Sequence, residues 1–214
     1  DKIIPSAQTL ADKNYASGLI AYASIFKALS IGDMSQFWEK VPAANGNSVT
    51  FIDRVDGFKK AITVIDNALT TIAANAISAS FISSVPAGID ITNTLNALKA
   101  RYSLFAGLYP QALAAANAVD ITKKSTFNFD ALSLNPLFEV STSTNNVVQV
   151  KDSTLGLLIP LQPDFADKRI QFFTSINPTI LPKFRINGFG AAAATAFPVF
   201  LPGEISLIKA EAYA

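Results

Sequence analysis

The sequence predicts a mainly α protein: helical hairpins packed as antiparallel pairs, then a long segment of irregular loops and short strands, then one more helix. Three observations carry this. Large apolar residues recur every three to four positions over 6–31, 53–74 and 91–119, the period of helices that bury one face. Between 120 and 202 the period fades, and prolines stand at 136, 160, 163, 178, 182, 198 and 202, each removing a backbone donor that a helix interior needs. Over 203–214 the strong helix formers Ala, Leu, Glu and Lys return and run to the last residue. The expected division is therefore 1–119, helical hairpins; 120–202, loops with short strands; and 203–214, the first helix of a further hairpin.

The first helix is expected over 6–31, after Pro5, with Leu19, Tyr22, Ala23, Phe26 and Leu29 as its buried stripe and Gly32-Asp33 as its stop. The segment 34–47, rich in turn formers toward its end, reads as a loop. The second helix, 53–74, is capped by Asp53, carries Asp56 at the capping-box position and buries Val55, Phe58, Ile62, Ile65, Leu69 and Ile72. A single loop joins these two helices, so an antiparallel pair is the simplest packing. Residues 75–90, with Pro86-Ala-Gly88, read as an ordered loop.

A third helix begins near Asp90 or Thr92, buries Leu95, Leu98, Tyr102 and Phe105, and ends at Gly107. Pro110 suits the first turn of a fourth helix over 111–119, and Ala112, Ala115 and Ala116 allow close approach. The pair reads as a tetratricopeptide-type hairpin. No strict 34-residue repeat recurs, so the array is degenerate. The best strand candidates are 147–150 and 155–161. The closing helix, 204–214, has an apolar stripe of Ile205, Leu207, Ile208 and Ala212 but no C-cap. It is expected to need a partner helix to cover Ile205, Ile208 and Ala212, which makes the chain a fragment of a longer one.

Composition narrows function. Of 214 residues half are apolar, 15% are charged, and the net charge is +1, so no basic footprint for nucleic acid or anionic membrane exists. Cysteine and histidine are both absent. That removes disulfides, thiolate nucleophiles, cysteine-ligated zinc and Ser-His-Asp arrangements. No cofactor and no catalytic constellation is expected; carboxylate, Lys, Tyr or Ser/Lys chemistry is all that composition permits. The apolar stretch at 19–31 contains Lys27 and falls short of the roughly 20 residues that span a bilayer. The chain begins at Asp1 with no signal-like segment, as expected of a processed protein whose membrane tether lies elsewhere.

Trp38 is the only tryptophan and sits beside Gln36, Phe37 and Glu39. An aromatic face flanked by an amide and a carboxylate suits a sugar ring, which offers C–H groups to the ring and hydroxyls to its neighbours. The alternative is a Trp that plugs the end of the first helix pair. Phe105 and Tyr109 read as core, Asn145-Asn146 as a solvated turn, and Arg101 as a salt bridge or carbonyl clamp. Asp164, Asp167, Lys168 and Arg169 form the densest charge cluster. Neighbouring aspartates do not make the carboxylate pair of a glycosidase, and an ion-paired loop is expected.

Several segments, in order, resemble the SusD/RagB family. Ala28-Leu-Ser-Ile-Gly-Asp33 is similar to the end of its hydrophobic first helix, and Val64-Ile-Asp-Asn-Ala-Leu69 to its second helix. Ala97 to Leu113 (ALKARYSLFAGLYPQAL) resembles its Ala-Arg-x-Tyr hairpin. Asn135-Pro-Leu-Phe138 and Asp167-Lys-Arg-Ile-Gln-Phe-Phe173 resemble loop segments, and the last fourteen residues its closing helix. The chain lacks that family's usual arginine-aromatic run in the opening helix. The resemblance implies a non-enzymatic, lipid-anchored outer-membrane protein that binds glycans and hands them to a TonB-dependent transporter. A helical-repeat scaffold for protein partners is the alternative, and a carboxylate-based hydrolase the third reading.

Overall fold

The structure, a computed structural model, describes residues 2–142, 148, 150, 154–164, 166–176 and 184–214. In chain order the elements are α1 (Ile3–Gln8), α2 (Lys13–Phe37), β1 (Lys40–Pro42), β2 (Phe51–Asp53), α3 (Arg54–Ala74), α4 (Ala79–Ser84), α5 (Ile91–Phe105), α6 (Tyr109–Asn117), β3 (Thr126–Phe127), α7 (Pro136–Thr142), a 3-10 turn at Ile159–Leu161, α8 (Lys168–Phe173), β4 (Thr174–Ile176), β5 (Phe184–Ile186), a second 3-10 turn at Gly188–Gly190, β6 (Phe197–Pro198) and α9 (Pro202–Tyr213). The fold is mainly α, as the apolar periodicity predicts. Two units are distinct: a helical unit of Asp1–Ser125 with Val199–Ala214, and a second unit of Thr126–Pro198.

In the helical unit, α2 packs on α3 and α5, and α5 on α6. The predicted second, third and fourth helices are present within two residues of their expected ends. The first differs. It splits at residues 9–12, where Asp12 caps α2 by accepting from the backbone N–H of Asn14 and Tyr15, and it runs past Gly32-Asp33 to Phe37. Its buried face also differs from the expected stripe: Phe26 is 40% exposed, and the residues turned inward are Ile20 and Ile25 together with the small Ser17, Ala21, Ser24, Ala28, Gly32 and Ser35. Small residues at three- and four-residue spacing let neighbouring helices approach closely. Gly32 is therefore not a stop but a contact: a Cβ there would overlap the Tyr102 ring of α5.

Ile25, Ile65, Leu95, Leu98 and Tyr102 form the fully buried centre, and Ile62 joins them. Phe105 and Tyr109 depart from the core reading, at 44% and 46% exposed. Phe105 is the last residue of α5 and its ring lies against Phe58, with centroids 5.5 Å apart; Tyr109 is the first residue of α6. Val55 is likewise 39% exposed. Within 75–90 a short helix replaces the expected loop. Ser78 caps α4 through the Phe81 N–H, and Phe81 is buried where Gly18 leaves room for its ring.

The closing helix also corrects the expectation of exposed Ile205 and Ile208. Both are buried in a second apolar cluster with Ala97, Ala100, Ala112, Ala115, Ala116, Val119 and Phe200, so α9 already has partners in α5 and α6. The alanines predicted to permit close approach do so here. Leu207 and Tyr213 are the exposed apolar residues of α9, at 71% and 73%.

The unit Thr126–Pro198 is organised by short antiparallel pairs, β3 with β6 and β4 with β5, and by one polar side chain. Asn135 is fully buried; its amide donates to the Phe189 and Thr195 carbonyls, both at 2.7 Å, and its oxygen accepts from Leu137 N at 2.9 Å and Phe138 N at 3.1 Å. In the same unit Phe172, Phe173, Phe189 and Phe197 pack edge to face on one another. Of the strand candidates, 155–161 ends in a 3-10 turn instead of a strand. Positions 147 and 149 lie outside the described residues, as do Asn145 and Asn146, while 148 and 150 are not in a strand.

Candidate functional site

The four residues singled out around the lone tryptophan stand at the C-terminal end of α2. Because the helix continues to Phe37, Trp38 is its C-cap, extended in backbone and donating its N–H to the Met34 carbonyl at 3.0 Å. Phe37 and Trp38 are 79% and 60% exposed, with ring centroids 6.1 Å apart at 71°. Trp38 does not plug the helix pair. Glu39 is exposed, and Gln36, half-buried, donates its amide to Asp33 at 3.3 Å. Phe51 of the adjoining hairpin, opposite Pro42, is exposed as well.

What fixes this end is Arg54, the first residue of α3, which sequence reasoning missed. Its guanidinium donates to the carbonyls of Ser35 at 3.1 Å and Gln36 at 2.9 Å, and its backbone N–H to the Glu39 carbonyl at 2.8 Å. The last carbonyls of a helix have no internal partner and carry the negative end of its dipole, so a cation there closes the helix. The antiparallel arrangement of the first two helices was the available signal: it brings the start of one to the end of the other. The result is an aromatic pair on a rigid helix end.

A second feature is an apolar groove of about 670 Å³ lined by Leu104 and Phe105 of α5 with Leu201, Leu207 and Ile208. None of Gln36, Phe37, Trp38 or Glu39 lines it. At its floor Arg101 acts as both salt bridge and carbonyl clamp. It pairs with both carboxylate oxygens of Glu204, one at 2.8 Å, and donates to the Val199 carbonyl at 2.9 Å. Glu204 in turn accepts from the Leu201 N–H and so caps α9. The Tyr102 hydroxyl is buried beside this pair, next to Arg101, and burial pushes its pKa well up. Burial also raises Asp33, against the pull of Arg101.

The charge cluster of the second unit is spent locally. Asp167 caps α8 through the Arg169 N–H and holds the Arg169 guanidinium, at 2.5 Å in the closest contact, which lowers its pKa. Asp164 accepts from Ala166 N. These aspartates do not face each other across a cleft in the manner of a glycosidase pair. Among the described residues no cluster of three carboxylates could hold a metal, and no helix is long and apolar enough to cross a membrane. No protein-family model matches the chain, and no curated protein sequence matches it.

Proposed function

We propose that the chain is a non-enzymatic carbohydrate-binding protein of the SusD/RagB type, which captures oligosaccharides at the outer membrane and passes them to a TonB-dependent transporter. The observation that supports this most is the exposed Phe37–Trp38 pair, held at a helix end by Arg54 with the Glu39 carboxylate beside it. Exposed aromatics on a fixed backbone lose little entropy on binding, and their faces match the C–H faces of sugar rings. The order of the family-like segments along the chain supports the family side of the reading. Lipid anchoring and the transporter partner follow from that resemblance alone.

The test uses the tryptophan itself. Because Trp38 is unique, its emission reports on one position. Titration with a panel of neutral oligosaccharides is expected to shift that emission saturably, without turnover, and Trp38→Ala to weaken calorimetric binding by about tenfold or more. Unchanged affinity in a folded Trp38→Ala variant removes the platform. A second reading, a scaffold for a protein segment, is favoured by the apolar groove beside α9; there Leu207→Glu would abolish partner binding while leaving sugar titrations untouched.

A further inference from the structure

The groove beside α9, about 670 Å³ in volume, is walled by two helix faces of the helical unit. Arg101, Leu104 and Phe105 line it from one side of α5, at spacings of three and four. Glu204, Leu207, Ile208 and Glu211 line it from one side of α9, at spacings of three, four and seven. Leu201, the residue before α9, continues that wall. From Leu201 to Glu211 the wall rises by about 15 Å, or roughly three helical turns. A trough between two helix faces is the shape that a third helix fills with a ridge of its own side chains.

The charges of the groove differ in their commitments. Arg101 and Glu204 hold each other, and Arg101 also holds the Val199 carbonyl. Glu211 is exposed on the last turns of α9, and among the described residues it enters no ion pair. The uncompensated charge of the groove is therefore negative. Phe105 and Leu207 stand exposed along it, so a complementary occupant has an apolar face with a cation at its edge. A second copy of the chain does not meet that need. Laid antiparallel along α9, it would set Glu211 opposite Glu204, a carboxylate already taken by Arg101, and would bring no counter-charge.

We propose that this groove docks an amphipathic helix of a partner protein, whose apolar face fills the trough and whose lysine or arginine meets Glu211. The inference rests on the scaffold reading of the groove, and the site shares no residue with the Phe37–Trp38 platform.

The probe is a fluorescein-labelled synthetic peptide of about 14 residues, long enough to form a helix. It carries leucines at i, i+3, i+4 and i+7 and a lysine one turn beyond each end of that face. A twin peptide has glutamate in place of both lysines. With the full chain, fluorescence anisotropy is expected to rise saturably with the lysine peptide, and the glutamate twin to bind about fivefold more weakly. Glu211→Lys, a change at an exposed position, should reverse that preference, and Leu207→Glu should abolish binding of both peptides. Equal binding of the two peptides that Leu207→Glu abolishes would keep the scaffold reading and overturn this inference, as would a Glu211→Lys protein that retains the wild-type preference. Binding of neither peptide by the folded wild type overturns both. A dimer in sedimentation that Leu207→Glu returns to monomer names a second copy as the occupant, and overturns the partner helix as well. Sugar titrations of the aromatic platform stand apart from every one of these results.

Discussion

In the helical unit, neighbouring helices meet through glycine, alanine and serine, and the large side chains reach across from the opposite helix. In the unit Thr126–Pro198, by contrast, one buried amide ties the distant Phe189 and Thr195 carbonyls to the first-turn N–H groups of α7, and a chain of phenylalanine rings packs edge to face. The first kind of order depends on the absence of atoms, the second on the presence of a few. The two units should therefore fail in opposite ways: one when volume is added, the other when polar atoms are taken away.

The largest effect tests the first half of that contrast. Gly32→Val places a branched side chain where the Tyr102 ring sits, and should destabilise the protein by about 3 kcal/mol or more, read as a lowered midpoint in denaturant. A midpoint within error of the wild type would mean that α2 and α5 are not held as closely as their small residues indicate. Asn135→Ala tests the other half. It strands two N–H groups and two carbonyls in a buried site and should cost about 3 kcal/mol. Its signature is local: amide exchange should rise across 126–198 while α5 and α6 keep their protection. Uniform loss of protection would show that the amide is not the organiser of that unit.

Between these extremes lies the part-buried Arg101–Glu204 clamp of the helical unit. Arg101 and Glu204 are 16% and 28% exposed, so Glu204→Gln should cost about 2 kcal/mol by thermal unfolding. Arg101→Lys should not rescue it, because an ammonium cannot match the forked contact with two oxygens and a carbonyl. The smallest effect is electrostatic. Burial holds the Asp33 carboxyl above its ordinary range, so the folded state keeps a proton that the unfolded state has released. Stability from this group is then full below the ordinary aspartate range, near pH 4, and declines as pH rises through the raised value. Asp33→Asn should flatten the stability profile just above pH 4, and a parallel profile would remove the effect.

Much of the helical unit was legible because its helices follow period and punctuation together. Pro110 and Gly107 bracket one turn, Asp90 caps α5, and Ile62, Ile65, Leu95 and Leu98 fall on buried faces. Bulk alone is a poor sign of burial in this unit: Phe26, Val55 and Phe105 are all 39% or more exposed. On α2 the buried face combines Ile20 and Ile25 with a run of small residues, and Gly32 is a point of closest approach and not a terminator. Strands β3 and β6 pair Thr126 with Pro198 and Phe127 with Phe197, a partnership that no local pattern encodes. For the aromatic site, neighbours were visible and support was not. Trp38, Phe37, Gln36 and Glu39 are contiguous in sequence, whereas Arg54, which fixes them, becomes relevant only once two helices run antiparallel.

Chain connectivity at the junction of the two units has a kinetic consequence. The chain leaves the helical unit at Ser125 and re-enters at Val199, whose N–H donates to the Ser125 carbonyl at 2.9 Å, immediately beside the Thr126–Pro198 pair. Arg101 and Glu204 are 103 positions apart, and closing a loop of that length in an open chain costs about 4 kcal/mol of entropy. Once residues 126–198 have brought their own ends together, the gap that α9 must close shrinks to about 30 residues, at roughly 1 kcal/mol less. The inserted segment thus acts as a clasp that shortens the search by which the last helix finds α5 and α6.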